Sequence, residues 1–305
     1  MSDEAEKEQV LDVAAIFDRS RQRLTRLAYR MLGSVADAED IVQEAFLRWL
    51  DTDRDAVREP EAYLSRIVTN LCLDHLKSAQ HRRESYIGPW LPEPIIDLEK
   101  ESFDDDVTLP LLMALERLSP LERAAFLLHD VFGLSFDEIA GIIDRKPSAC
   151  RQLARRARFH VRASRPRYAL SKERGLEIAS AFFEASRYGD LERLRSLLAD
   201  DVVAYADGGG KVPAAREAIV GIEAVMALHA SLRLVFAEKM SQLVRYCFIN
   251  GLPGFISIEQ GDAWQTTALE IDHGLIAAIY VVRNPDKLRH VMNEAYRSIG
   301  DPIRH

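Results

Sequence analysis

The sequence predicts two all-α helical domains followed by an α+β domain. Three observations carry that expectation. Apolar residues recur at helical spacing from residue 11 to about 161, punctuated by serine-headed capping boxes. A stretch rich in proline and acid, residues 88–109, interrupts them. Beyond Pro166 the pattern changes to two helices, a strand, a helix and then a run of strands. The boundaries read as 1–87, a linker over 88–109, then 110–168, 169–283 and a tail over 284–305.

Composition narrows the function classes. A chain of 305 residues with 48% apolar content has room for two or three cores. A net charge of −8 excludes a protein that coats nucleic acid over its whole surface, so any such contact must be local. Cys72, Cys150 and Cys247 are far apart and odd in number. That spacing argues for a reducing cytoplasm, with neither a disulfide framework nor a zinc site. The acidic first nine residues do not read as a signal peptide, and no run of about eighteen apolar residues marks a membrane span. No cofactor and no metal are expected.

The first helix spans residues 11–32, with Ile16, Leu24, Leu27, Ala28 and Met31 on one side, and Gly33 stops it. The second, 37–49, buries Ala38, Ile41, Val42, Ala45, Phe46 and Trp49. Its opposite face carries Asp37, Asp40, Gln43 and Glu44, which suits both a helix N-terminus and a basic partner. A polar connection, 51–59, leads to Pro60 and a third helix through residue 83, with Tyr63, Ile67, Leu71 and Leu76 inward. Its outer face holds Arg66, Thr69, Asn70, Asp74, Lys77, Arg82 and Arg83, a mixture suited to a nucleic acid strand.

Gly88-Pro89-Trp90-Leu91-Pro92-Glu93-Pro94 breaks regular structure, and the acid-rich stretch after it reads as a domain linker. Trp90 and Leu91 are out of place in an extended linker unless they dock on a neighbour. Helices resume at 109–118. Ser119-Pro120-Leu121-Glu122 and Ser135-Phe136-Asp137-Glu138 are capping boxes, each opening a helix. A short helix over 136–143 and a turn at Asp144-Arg145 lead into a basic helix that begins at Pro147. From Arg145 to Arg167 there are nine Arg or Lys and no acid. Leu153, Ala157 and Val161 form its buried stripe, while Lys146, Arg151, Gln152, Arg155, Arg156 and Arg158 face outward. Capped helix, tight turn and basic helix make a helix-turn-helix, whose second helix enters the DNA major groove.

In the last third, helices at 171–186 and 190–198 precede a strand at 201–206. A helix at 222–235 and strands at 243–249, 254–259, 264–271 and 275–283 follow. They predict a curved antiparallel sheet folded against helices around a pocket. A final helix, 286–298, is expected to pack outside this domain.

The first 168 residues resemble an extracytoplasmic-function (ECF) sigma factor of bacterial RNA polymerase. The run Asp37-Ala38-Glu39-Asp40-Ile41-Val42-Gln43-Glu44-Ala45-Phe46 resembles that family's core-binding helix. Leu64-Ser65-Arg66-Ile67-Val68-Thr69-Asn70 resembles its promoter-melting helix, and the helix-turn-helix its minus-thirty-five reader. Trp90-Leu91-Pro92-Glu93-Pro94, Asp207-Gly208-Gly209-Gly210-Lys211 and Asn284-Pro285-Asp286-Lys287-Leu288 resemble the marks of the subgroup with a fused SnoaL-like domain, of the ketosteroid-isomerase-like cone fold.

The resemblance implies sigma region 2, sigma region 4 and a regulatory C-terminal domain. It implies core polymerase, through its largest-subunit clamp helices and its flap, and promoter DNA as partners, with no separate anti-sigma factor. Asp37, Asp40, Gln43 and Glu44 would bind core polymerase. Arg66, Asn70, Asp74, Lys77, Arg82 and Arg83 would hold the minus-ten strand, with the 51–59 loop, which contains Arg54 and Arg58, capturing a flipped base. Lys146, Arg151, Gln152, Arg155, Arg156 and Arg158 would read the minus-thirty-five element. Trp90, Leu91 and Pro92 would meet Asp207, Gly208, Gly209, Gly210 and Lys211, and Asn284, Pro285, Asp286 and Lys287, as an interdomain regulatory contact.

Sigma function needs no catalytic residue, because polymerase supplies the chemistry. The competing readings are an isomerase-like enzyme or a small-ligand sensor in the C-terminal cone, drawing on Asp207, Asp272, His273 or His229. Asp207 before three glycines reads as a turn acid, and Asp272-His273-Gly274 as a hairpin tip. Regulation is therefore favoured over catalysis.

Overall fold

The computed structural model describes residues 3–53, 57–84, 86–97, 108–161 and 170–299. The chain divides into two compact units, one of 1–84 with 114–163, the other of 85–113 with 164–305.

In the first unit, α1 (Asp3–Leu32), α2 (Val35–Leu50) and α3 (Pro60–Glu84) pack on one another. Ser34 caps α2, its hydroxyl accepting from the Asp37 N–H at 3.1 Å. The expected stripe of α2 is buried, apart from Phe46, which is half-buried beside Phe17. In α3 the inward stripe is offset by one position from the expected one. Leu64, Val68, Cys72 and Leu76 are buried, while Tyr63, Ile67 and Leu71 are half-buried along the flank. Tyr63 is drawn towards the preceding loop, its hydroxyl 3.3 Å from that of Thr52.

α4 (Leu109–Glu116) runs across the boundary between the units. α5 (Pro120–Phe126) begins with a complete capping box and passes into a π-helical turn, Leu127–Val131, that the sequence did not announce. α6 (Phe136–Ile143) has a second complete box, and Asp144 closes it in the left-handed region at φ 51°. α7 (Pro147–Val161) buries Cys150, Ala154, Ala157 and Val161. Leu153, expected inside, is only half-buried. Small residues on the stripe let α7 lie close to α5 and α6.

The second unit holds α8 (Lys172–Tyr188), α9 (Leu191–Leu197), α10 (Ile222–Glu238) and α11 (Arg289–Ile299). Its sheet contains β1 (Ile96–Asp97), β2 (Leu198–Asp207), β3 (Ile219–Val220), β4 (Gln242–Ile249), β5 (Leu252–Glu259), β6 (Ala263–Asp272) and β7 (Leu275–Val282). The order is β1-β4-β5-β6-β7-β2-β3. The sheet is not wholly antiparallel, as expected from sequence, because β2 pairs with β7 in parallel. The crossover that contains α10 separates β2 from the meander of β4 to β7, so no hairpin forces it antiparallel.

Both sheet faces are covered. On one, α8, α9 and α10 pack Ile178, Phe182, Phe183, Leu194 and Val225 against Phe255 and Leu269. The same side also buries the Arg187–Glu259 ion pair, 2.8 Å long, against Phe183 and Phe255. On the other, Leu91, Ile96 and Leu109 of the linker join Leu288, Val291 and Ala295 against Ile249, Trp264 and Tyr280. Residues 88–94 carry no helix or strand, as their prolines predict, and beyond them Ile96 and Asp97 pair antiparallel with Ile249 and Phe248 as an edge strand. One expectation is corrected here. The last helix does not pack outside, because its apolar side closes this face of the sheet.

Candidate functional site

The first unit presents two basic helical faces. Along α3, Arg66, Asp74 and Lys77 are exposed and Asn70 is half-buried, at the i, i+4, i+8 and i+11 spacing that aligns them. Lys77 is held to Asp74 at 2.9 Å. The side chains of Arg82 and Arg83 lie outside the described residues, as does Arg54. A cleft of about 670 Å³ opens between the 51–59 loop and α6, lined by Asp51, Arg58, Tyr63 and Arg66 on one side and Glu138 and Ile142 on the other. The Ser135 hydroxyl and N–H, at the start of α6, hold the Glu138 carboxyl below its usual pKa.

On α7, Lys146, Arg151, Gln152, Arg155 and Arg156 are exposed together. The Arg151 guanidinium lies 5.8 Å from the Phe136 ring centroid, which holds it over the start of α6. Arg158 stands apart from this group, since it is half-buried and ion-paired to Asp130 at 2.7 Å. On α2, Asp40, Gln43 and Glu44 are exposed. Asp37 turns towards α3, 3.4 Å from His75, and Glu44 pairs with Arg48 at 2.9 Å.

The second unit brings the linker residues to the two glycine- and asparagine-marked segments. Asp207 is fully buried. Its carboxylate accepts from the Tyr86 hydroxyl at 2.6 Å, the Leu91 N–H at 2.9 Å, the Gly209 N–H at 3.0 Å and the Lys287 ammonium at 2.8 Å. The Gly209 bond, two residues on, is the turn contact the sequence predicts, and the three long-range donors reach Asp207 because it and Tyr205 alternate onto the linker face of β2. Lys287 also donates to the Leu91 carbonyl, and its ammonium sits 4.0 Å from the Trp90 ring centroid. Asn284 donates to the Tyr86 hydroxyl at 2.9 Å, and His290 meets the Pro94 carbonyl at 2.6 Å.

Gly209 adopts φ +60°, and a Cβ there would sit 2.3 Å from the Asn284 amide nitrogen. Lys211 pairs with Asp286, and that hydrogen bond, ahead of burial and the nearby Arg289, holds the Asp286 carboxyl below its usual range. Pro92 is buried and Pro285 exposed. Burial, then the bond to Asp207, pushes the Tyr86 phenol well above its usual pKa. Sequence reasoning passed over Tyr86, His290 and Asn250. Only Asn250 carried a signal, because Asn-Gly between two strands marks a tight hairpin.

The residues considered for catalysis are not brought together. Asp207 faces the linker, whereas His229 packs edge-on against Phe182 on the opposite face of the sheet. Burial, with Arg187 nearby, lowers its pKa to about 4, so the ring is neutral. Asp272 and His273 lie at a hairpin tip, 3.9 Å apart. Among the described residues no group of three or more His, Cys, Asp or Glu is placed to hold a metal, and no helix is long and apolar enough to cross a membrane.

Comparison with known proteins identifies the helical unit. Sigma-70 region 2 matches residues 16–82, and Sigma-70 region 4 matches residues 108–161. The ECF RNA polymerase sigma factor SigJ of Mycobacterium tuberculosis is 36% identical over 287 residues, covering 89% of this chain and 91% of SigJ. The chain belongs to the ECF RNA polymerase sigma factors. SigI of Mycobacterium tuberculosis, a probable ECF sigma factor, is 34% identical, with 90% of this chain and 94% of its own length covered.

The crystal structure of SigJ matches this sigma factor with a TM-score of 0.70 at 32% identity, covering 90% of this chain and 98% of that one. The co-crystal structure of the sigma factor RpoE with the anti-sigma factor NepR from Bartonella quintana covers 53% of this chain, with a TM-score of 0.38. The sigma factor thus joins helical regions 2 and 4 to a C-terminal α+β domain of SnoaL-like type, and its relatives are transcription factors rather than enzymes.

Proposed function

We propose that this sigma factor opens promoters by reading the minus-ten element with α3 and the 51–59 loop, and the minus-thirty-five element with α7. Core polymerase docks on the Asp40, Gln43 and Glu44 face of α2. The exposed cations of α7 carry sequence choice, through guanine and adenine edges in the major groove. Arg158, committed to Asp130, contributes less than its neighbours. The protein acts in the cytoplasm, beside the polymerase.

The fused C-terminal domain controls this activity through the linker. The observation that carries the reading is the buried Asp207 carboxylate, which ties linker, domain loop and Lys287 into one network. A docked linker restrains the two promoter readers at its ends, and whatever binds the undocked state better shifts the balance. The expectation that no separate anti-sigma protein acts on the chain does not follow from family membership, since RpoE is solved with NepR. It is not part of this proposal.

Transcription in vitro with core polymerase tests both parts. Charge reversal at Asp40 and Glu44 is expected to abolish core binding, and alanine at Arg155 and Arg156 to abolish start-site choice. Lys287→Ala is expected to change the yield of transcripts. Unchanged yield with Lys287→Ala would remove the regulatory part and leave the promoter-reading part standing.

A further inference from the structure

The β4–β5 hairpin tip, Asn250-Gly251, holds the linker at two places that are far apart in the chain. Both residues have positive φ, 48° and 73°, the backbone of a two-residue primed turn. Asn250 is buried. Its side-chain oxygen accepts from the Ile95 N–H at 3.1 Å, and its own N–H donates to the Ile95 carbonyl at 2.8 Å. Its carbonyl accepts from the Leu109 N–H at 3.0 Å. Just beyond the first contact, Ile96 pairs with Ile249 and Asp97 with Phe248.

Residue 97 leaves the hairpin and residue 109 returns to it within roughly 10–15 Å, by strand spacing and rise. Whatever path residues 98–107 take, they add nothing to the separation of the linker's ends while both contacts hold.

The consequence is a change in reach. Residues 85–108, fully extended, span at most about 80 Å. With the Asn250 contacts closed, residues 86–96 span at most about 35 Å and the step across the hairpin adds roughly 10–15 Å. The promoter elements ten and thirty-five base pairs upstream are centred about 25 base pairs apart, roughly 85 Å along the duplex. Regions 2 and 4 add the same lengths of their own in both states, so the docked form loses roughly 30–35 Å of reach.

We propose that Asn250 is a spacing determinant, clipping both ends of the linker to one hairpin and capping the distance that can separate the two promoter readers. The inference rests on the reading above, that α3 and α7 are those readers.

Its particular prediction is an asymmetry. Releasing the clip extends activity towards longer promoter spacers and leaves shorter ones unchanged. Two variants weaken the clip by removing one hydrogen bond, from the Ile95 N–H to the Asn250 side-chain oxygen, from opposite sides. Asn250→Gly keeps the positive φ and removes the side-chain acceptor, and Ile95→Pro removes the linker donor and leaves the hairpin intact. Each full-length variant would be assayed with core polymerase on promoters whose spacer changes one base pair at a time, from three shorter to three longer than the optimum. The expected result is a gain of roughly threefold to tenfold on the long side only, as the effective concentration of region 4 at a distant element rises.

A uniform gain or loss at every spacer would overturn the spacing role and leave the regulatory reading standing. No change at any spacer from either variant would overturn the spacing role too, while the regulatory reading rests on the Asp207 network and is tested separately by Lys287→Ala. A fluorophore pair on the exposed positions Arg19 and Arg117 gives a second readout in the complex with core polymerase. The separation is expected to widen in both variants, and an unchanged separation would likewise overturn the proposal.

Discussion

The basic faces of α3 and α7 and the clasp around Asp207 are built on opposite principles. The first set consists of exposed cations on helices, Arg155 and Arg156 among them. The second is a buried set in which one carboxylate takes four donors and one ammonium meets that carboxylate, the Leu91 carbonyl and the rings of Trp90 and Tyr86. Surface residues of the first kind can change with little effect on folding. Buried networks of the second kind cannot lose a member without leaving the rest unsatisfied. Recognition and regulation should therefore separate under mutation, one through DNA affinity and the other through stability of the docked linker.

The largest effect is expected from Asp207→Ala, which takes the counter-charge from the buried Lys287 ammonium and the acceptor from the Leu91 N–H. The cost is about 3–5 kcal/mol, read as faster hydrogen exchange at Leu91 and along β1. Exchange rates equal to the native ones would show that the network is dispensable.

Next is Arg155→Ala, at about 1–3 kcal/mol of promoter affinity, with a salt slope lower by about one. Its denaturation midpoint should not move, and a shifted midpoint would blur the distinction between the two regions. Trp90→Ala removes the ring over Lys287 and should weaken docking by about 0.5–2 kcal/mol, measurable as greater protease sensitivity near residue 98.

The smallest effect is alkaline. Tyr86 has a folded pKa raised above its ordinary value of 10.0. A raised pKa stabilises the neutral form, so its contribution is complete below that ordinary value and is lost as pH climbs through the folded one. Docking should loosen in that alkaline window, and Tyr86→Phe should remove this part of the pH dependence.

The helical unit was largely legible because its signals are local. Ser119-to-Glu122 and Ser135-to-Glu138 each specify a helix start within four residues, and both boxes form as written. The offset of the α3 stripe was not legible. Tyr63 and Leu64 are both apolar enough to face inward, and only the loop at Thr52 decides between them. The clasp was legible as a list of segments but not as a structure. Nothing near Asp207 in sequence reveals that its partners lie at Tyr86, Leu91 and Lys287, more than seventy positions away. Long-range pairing of this kind belongs to topology. The parallel β2–β7 pair, which places the Asp207 end of β2 beside the Asn284 segment, is a product of that topology.

The placement of Leu91, Ile96 and Leu109 within the core of the sheet face has a consequence for how this gene product can be cut. The C-terminal fold does not begin where its own helices begin. A fragment starting after Pro166 would lack Leu91, Ile96 and Leu109 and would leave only the 288–295 segment against Trp264, Tyr280 and Ile249. The complementary fragment would carry those three residues with nothing to cover them. Neither piece is a closed object, so the fusion is mortised rather than appended. A recombination event that moved this module between proteins would have to carry two separated stretches of chain at once.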